Sequence, residues 1–445
     1  MVLSVADRPG PARRRPERER KPPPGLAARR GAVDLIADVL DPGRLLGEGA
    51  LGGLSPRERA EAHGLAEAVL RRLGEVDAAL APYVERMPGS PACHILRLMA
   101  AEIVFVGTAS HAAVDVAVSL ARLSPQAASM AGLVNAVGRR LSTAPPEPVE
   151  KPGRLNAAPW LAERLDAAWG RETTDAILAA HLGAAPHDLT PRDEADVEAL
   201  AAELDAMALP SGTLRLPGRP QLSALPGFDA GAWWVQDAAA ALPARLLAVA
   251  EGERVLDLCA APGGKTLQLA AAGARVTALD HSAKRMARLE ENLARTRLTA
   301  ETVVADAFDW TPEARFDAIL LDAPCSATGT IRRHPDLPHR FDPAALERLV
   351  DLQARLLARA WGWLAPGGRL VYATCSILPE EGEARVSAFL AATPAAGRVA
   401  FDPDDPALPP GAIDAEGALR TLPSMLPEIG GLDGFHATML HCNKG

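Results

Sequence analysis

Between Ala32 and Leu141, apolar residues recur at intervals of three and four. The segments AVDLIADVL, RAEAHGLAEAVLRRLGEVDAAL, CHILRLMAAEIVFV, HAAVDVAVSLAR and MAGLVNAVGRRL all carry this spacing, which lays an apolar stripe along one side of a helix. Gly52-Gly53, Pro88-Gly89-Ser90-Pro91 and Gly107-Thr108 interrupt them. The pattern predicts an all-α bundle of five to seven helices over residues 31–141. It indicates a core and says nothing of a ligand.

Residues 142–153 (STAPPEPVEKPG) read as a Pro-rich linker. Residues 154–235 mix helical stretches, WLAERLDAAWG and TTDAILAAHL, with short strand-like pieces, and predict a small α/β connecting subdomain. The adjacent Trp233 and Trp234 fit its core better than a base-stacking site. Over 236–445 the periodicity changes. RVLDLC, RVTALD, ETVVAD, FDAILLDAP and RLVYATC are short aliphatic runs alternating with helical segments such as AKRMARLEENLART. That alternation predicts a parallel sheet with helices on both faces. Ligands of such sheets bind at the carboxyl ends of the strands, here Cys259-Ala260, Asp280, Asp306, Asp322 and Cys375.

The chain has 445 residues, 48% of them apolar, enough for more than one core. No uncharged apolar run reaches 18 residues, so no membrane span is expected, and the N-terminus lacks a signal-peptide pattern; a cytoplasmic location is expected. Five cysteines without a CxxC pair suggest neither a disulfide framework nor a metal site. The net charge is −9, but residues 1–30 hold nine basic and three acidic side chains. Those residues read as a disordered basic tail, either a phosphate-touching arm or a solvated end.

VLDLCAAPGGKT (Val255–Thr266) is a strand, a Gly-bearing loop and a helix start. Glycines let backbone approach a ligand, and the helix N-terminus offers free N–H groups. The loop is neither GxGxxG nor a P-loop. Asp280 and Asp306 end the next two strands, where carboxylates can accept from ribose hydroxyls and an adenine amine. Together they suggest an adenosine-bearing cofactor without a pyrophosphate.

DAPCSATG (Asp322–Gly329) and ATCS (Ala373–Ser376) each begin where a strand ends. Two thiols on one rim suit methylation at carbon 5 of cytosine, which requires a nucleophilic thiolate at carbon 6 and help in releasing it. Two inert buried thiols are the structural alternative. A cysteine hydrolase would need an activating histidine, and His334 and His339 sit in a Pro-rich loop without an evident orienting partner. Arg332, Arg333 and His334 follow the Pro-Cys loop and are expected to hold phosphates, with a solvated basic loop the alternative.

LDLCAAPGGKT, LDAPCSATGTIRRHPD, LVYATCSILPEEGE and VQDAAAAL (Val235–Leu242) resemble the RsmB/NOP/NSUN family of RNA 5-methylcytosine methyltransferases. HAAVDVAVSLAR and GLVNAVGRR resemble the NusB RNA-binding domain, and the combination is the RsmB-type arrangement. The resemblance covers roughly residues 30–142 and 155–441. It implies a multi-domain chain: an all-α NusB-like bundle, a small α/β subdomain that touches RNA, and a Rossmann-like class I methyltransferase domain. It implies S-adenosylmethionine on Cys259, Ala260, Ala261, Pro262, Gly263, Gly264, Lys265, Asp280, Asp306 and Asp322. It implies Cys375 as nucleophile, Cys325 as the thiol that helps break the adduct, and Asp322 at the base. The expected partner is ribosomal RNA, with small-subunit (16S) RNA the implied target and the protein a monomer. Methylation of transfer RNA and an idle assembly factor are the competing readings. The segment after the linker reads LTPRDEAD (Leu189–Asp196) in place of the family's Arg-x-Asn, so its strand is expected to be altered or shortened.

Overall fold

The structure is a computed structural model and describes residues 23–47 and 51–442. Six helices form the first layer: α1 (Leu26–Leu40), α2 (Pro56–Arg71), α3 (Leu73–Leu80), α4 (Ala92–Ala101), α5 (Ser110–Leu123) and α6 (Ala131–Thr143). Helix α2 shows why the chain turns helical where it does. Ser55 Oγ accepts from Glu58 N, Glu58 accepts from Ser55 N in return, and Pro56 occupies the first turn. Leu35, Ile36, Val69, Leu96, Met99 and Leu141 meet in the core. Each such side chain contributes about 1.5–3 kcal/mol by leaving water.

Two expectations for the chain's start change. Helix α1 begins at Leu26, inside the stretch read as tail. Arg29 pairs with the buried Glu102 at 2.6 Å and with Glu61 at 3.0 Å, so its charge is spent inside the bundle. Residues 1–22 lie outside the described residues.

The connecting region holds α7 (Pro152–Asn156), α8 (Pro159–His181), β1 (Asp188–Pro191), α9 (Val197–Glu203), β2 (Met207–Ala208), β3 (Leu214–Arg215) and β4 (Trp233–Val235). The strands form an antiparallel sheet in the order β2-β3-β1-β4. β1 is only four residues long but pairs on both sides, with Leu189 opposite Leu214 and Val235. Trp233 and Trp234 are buried, as core residues should be.

The last region contains α10 (Ala238–Leu247), β5 (Arg254–Leu258), α11 (Gly264–Ala271), β6 (Arg275–Asp280), α12 (Ala283–Thr296), β7 (Glu301–Val304), β8 (Phe316–Asp322), α13 (Leu337–Arg340), α14 (Ala345–Gly362), β9 (Leu364–Thr374), α15 (Glu383–Ala392), β10 (Ala396–Val399), β11 (Leu419–Thr421) and β12 (Phe435–Cys442). The sheet order is β10-β12-β9-β8-β5-β6-β7, with β11 also on β12. Strands β5 to β9 are parallel. β12 runs antiparallel to β9, so the sheet is mixed where an all-parallel one was expected. Alternate residues face opposite cores: Leu256, Leu258, Ile319 and Leu321 on one side, Val255, Ala318 and Leu320 on the other.

The chain leaves β5 toward β6 and β7, then returns to its other side for β8 and β9. This reversal opens a crevice at the carboxyl ends of β5 and β8. The helical bundle docks beside it. Arg71 of α2 donates to Arg332 O at 2.9 Å and to His181 O and Gly183 O at 3.0 and 3.1 Å. His339 Nε2 donates to Leu70 O at 2.8 Å.

Candidate active site

The loop after β5 is held before any ligand arrives. Cys259 adopts a left-handed conformation (φ 65°), and its N–H donates to Leu279 O on the neighbouring strand at 2.8 Å. Gly263 also lies in the left-handed region, at φ 106°, and a Cβ there would sit 2.6 Å from Leu289 Cγ. Glycine is therefore required to start α11 against α12. Asp280, buried at the end of β6, accepts from Ala261 N at 3.1 Å and Ser282 N at 2.9 Å. Each of its oxygens keeps a further lone pair for a ligand hydroxyl. Asp306 lies just beyond β7, exposed, and accepts from Phe308 N at 2.9 Å.

Lys265, on the first turn of α11, reaches across the crevice to Asp322 at the end of β8. Its Nζ lies 2.8 Å from Asp322 Oδ2 and 5.1 Å from the centre of the Phe435 ring. Burial disfavours the ammonium, but the carboxylates of Asp322 and Asp257 outweigh it, and the Lys265 pKa is raised. Asp257 lies beneath the loop on β5, fully buried, with Thr266 Oγ1 donating to it at 2.6 Å. Desolvation pushes its pKa up to about 7. The Cys259 thiol is held protonated by burial and by the nearby carboxylates, Asp280 first.

β8 and β9 are adjacent and parallel, with Asp322 in register with Ala373. Their ends therefore deliver Cys325 and Cys375 to one place, and the two sulfurs lie 3.4 Å apart. Both thiols are partly accessible. The hydrogen bond with Cys375, followed by burial, raises the Cys325 pKa well above the thiol norm. A buried hydroxyl cluster knits the two loops together: Thr328 Oγ1 lies 3.1 Å from Ser376 Oγ, and Ser326 Oγ lies 3.2 Å from Thr328 Oγ1.

Arg332 and Arg333, expected at phosphates, are engaged within the protein. Arg332 is buried and donates to Gly430 O, and Arg333 binds Asp433 at 2.7 Å and also Asp237. Two arginines directly after a catalytic loop look basic in sequence. Their acidic partners, Asp237 and Asp433, lie about a hundred residues away along the chain, which hides the pairing. His339 meets the bundle rather than a thiol, so it gives the hydrolase reading no activating base. Sequence reasoning also missed Glu381, Gln353 and Arg420, buried polar residues that hold the cysteine loops from behind. Among the described residues no cluster could hold a metal ion, and no helix is long and apolar enough to cross a membrane. A 620 Å³ cavity between the connecting sheet and α10–α11 includes none of the thiol-rim residues in its lining.

A switched parallel sheet with a Gly-bearing loop and paired carboxylates at its rim defines a Rossmann-like methyltransferase domain behind a helical bundle. Residues 244–441 match the model of the 16S rRNA methyltransferase RsmB/F family, and residues 26–143 match the NusB family. The chain is 38% identical over 392 residues to ribosomal RNA small subunit methyltransferase B of Xanthomonas campestris pv. campestris, covering 83% of this chain and 89% of that protein. It is 39% identical over 398 residues to the protein of the same name in Xylella fastidiosa, covering 84% and 92%. In fold it is similar to the crystal structure of PH0851, with a TM-score of 0.74 at 23% identity over 94% of this chain and 98% of that one. The chain belongs to the RsmB/F methyltransferase family, with a NusB-type domain in front.

Proposed function

We propose that this protein methylates carbon 5 of a cytosine in small-subunit ribosomal RNA, as a monomer, using S-adenosylmethionine and a transient bond between Cys375 and carbon 6. The observation that carries the reading is the 3.4 Å approach of Cys325 and Cys375 beside the Lys265–Asp322 pair. The ribosomal target comes from the family description and from the names of the relatives.

The crevice suits the cofactor. The amino end of α11 and the close-packed Gly263-Gly264 turn admit a ligand against backbone, and Asp280 has free acceptor capacity at the ribose position. Cys259 to Lys265, Asp280, Asp306 and Asp322 would hold the molecule. When bound, it supplies an electrophilic methyl sulfonium.

Cys375 acts first. Its thiolate adds to carbon 6 of the flipped-out cytosine and makes carbon 5 electron-rich. Lys265, 2.8 Å from Asp322 Oδ2, holds that side chain at the crevice, where its oxygens accept from the base's exocyclic amine. After methylation, a base takes the proton from carbon 5, the C–H electron pair re-forms the carbon 5–carbon 6 double bond, and the carbon 6–sulfur bond breaks with its electrons returning to the Cys375 sulfur. Cys325, protonated and in hydrogen-bond contact with Cys375, is placed to assist that departure.

The test is methyl transfer from labelled S-adenosylmethionine to RNA from cells lacking the protein. Cys375→Ala is expected to be inactive, and Cys325→Ala to trap a protein–RNA adduct. Full activity in Cys375→Ala would remove the nucleophile from this reading. Labelling confined to transfer RNA would move the target, and no labelling of any RNA would favour an assembly factor.

A further inference from the structure

We propose that Glu381 and Gln353 form a positioning unit for Cys325, and that this unit serves release of the methylated base rather than methyl transfer. The inference rests on the reading of Cys325 as the release thiol.

Both residues are fully buried; Gln353 lies outside the strand-end motifs, and Glu381 lies near the far end of LVYATCSILPEEGE. Glu381 sits on the turn before α15, and Gln353 sits in the middle of α14. Glu381 Oε1 accepts from Ser326 N at 2.8 Å, and its other oxygen accepts from Ser326 Oγ. Gln353 Nε2 donates to Pro324 O at 2.9 Å and to Glu381 Oε1 at 3.0 Å. The residues on either side of Cys325 are thus held by one linked pair. Gln353 Oε1 is buried without a hydrogen-bond partner among the described residues, so this side chain holds the loop through its donors alone. Glu381 is itself fixed through its main chain, where its carbonyl accepts from Tyr372 OH at 2.8 Å and Thr374 Oγ1 at 3.3 Å.

Cys375 has a different anchor. Arg420 donates to Ser376 O and is clamped by Glu383 at 2.9 and 2.7 Å. The side chains of Glu381 and Gln353 hydrogen-bond to the residues flanking Cys325, and Arg420 to the residue following Cys375; Ser326 Oγ also lies 3.3 Å from Ser376 Oγ, and the Thr374 bond to the Glu381 main chain is one that Glu381→Ala leaves in place. A thiol that must assist a departing sulfur only 3.4 Å away requires its loop fixed to a fraction of an ångström. An attacking thiol held by its own anchor does not depend on that restraint. Loss of the Glu381–Gln353 pair therefore separates the two halves of the reaction.

The experiment uses the full chain, unmethylated small-subunit ribosomal RNA and labelled S-adenosylmethionine, quenched in denaturing detergent. Label is followed in free RNA and in the detergent-stable adduct for wild type, Cys375→Ala, Cys325→Ala, Glu381→Ala, Glu381→Gln and Gln353→Ala. In Glu381→Ala and Gln353→Ala, first-turnover methyl transfer stays within about threefold of wild type. Steady turnover falls roughly tenfold or more and labelled adduct accumulates, as it does in Cys325→Ala. Glu381→Gln keeps an acceptor for Ser326 N and restores release. Should Glu381→Ala not fold, Gln353→Ala, which leaves the carboxylate in place, decides the matter. The positioning role is overturned if Cys325→Ala traps adduct while the folded alanine variants of the pair do not, or if transfer and release fall together. If Cys325→Ala itself traps nothing while Cys375→Ala is dead, the release role of Cys325 is wrong and the pair's role falls with it.

Discussion

Lys265 Nζ and Asp322 Oδ2 lie 2.8 Å apart across the mouth of the crevice, joining the first turn of α11 to the end of β8. The pair spans the switch point of the sheet, so it links the cofactor side to the base side. Lys265→Met leaves Asp322 without its cation, and Asp322→Asn leaves a buried ammonium without its anion. Each change is expected to lower kcat/KM by one to two orders of magnitude, roughly 1.4–2.8 kcal/mol. The double variant should be less impaired than the two losses added, with a coupling of about 0.5–3 kcal/mol. Strict additivity in steady-state kinetics would show that the two act apart.

Arg333 offers a direct choice between two roles. As a phosphate contact, its loss would reduce the slope of log K against log salt for RNA binding by about one. As the partner of Asp237 and Asp433, its loss leaves two carboxylates buried together and costs about 3–5 kcal/mol of stability. Arg333→Met is expected to melt at a markedly lower temperature and to keep the wild-type salt slope. A changed slope with an unchanged melt would reinstate the phosphate contact.

The pKa of Asp257, about 7, makes stability depend on pH in a stated direction. Its folded-state pKa is raised above the ordinary carboxylate value, so the native state holds an extra proton between about pH 4 and pH 7. Stability from this group is complete at the acidic end and is lost as pH rises through 7. Asp257→Asn removes the charge that cannot be solvated there, with Asp280, Asp322 and Lys265 left in place. Stability between pH 5.5 and 8.5 should fall less steeply in the variant, by on the order of 2 kcal/mol over that range. Parallel melting curves would contradict this.

Gly329 lies under the thiol loops with no room for a side chain. A Cβ there would sit 1.9 Å from Gly434 O, and the two backbones are joined by Gly434 N donating to Gly329 O at 2.9 Å. Gly329→Ala must push the Cys325 loop away from the segment leading into β12. About 1–3 kcal/mol of destabilisation is expected, together with slowed methyl transfer. Calorimetry and a single-turnover assay would reveal it, and wild-type values in both would show that the contact yields freely.

The five parallel strands were legible because each is a short aliphatic run bounded by turn residues, and the chemistry gathers at their ends, as it must in such a sheet. The antiparallel strand β12 was not. FHATMLHC mixes two histidines and a threonine into a segment that is buried or half-buried throughout, so its alternation carries little signal. His436 and Thr438 are buried by virtue of bonding each other at 3.0 Å, a pairing no local pattern announces. The same holds at the site. Cys325, Cys375, Asp322 and Lys265 were marked by motif and by chemistry, whereas Gln353 looks like an ordinary surface residue of a helix and Glu381, though inside LVYATCSILPEEGE, like one more surface acid of its Glu-rich turn. Only their partners, 28 to 55 residues away in sequence, reveal them.

The hydrogen bonds from Arg71 to Arg332 O and from His339 to Leu70 O tie the helical bundle to the segment that runs on from Cys325. A bundle fastened there cannot swing freely on its Pro-rich connection. On the function proposed above, an RNA segment held by the bundle would meet the thiols at a set distance and angle, and the target base would be chosen by its distance along the RNA from that grip.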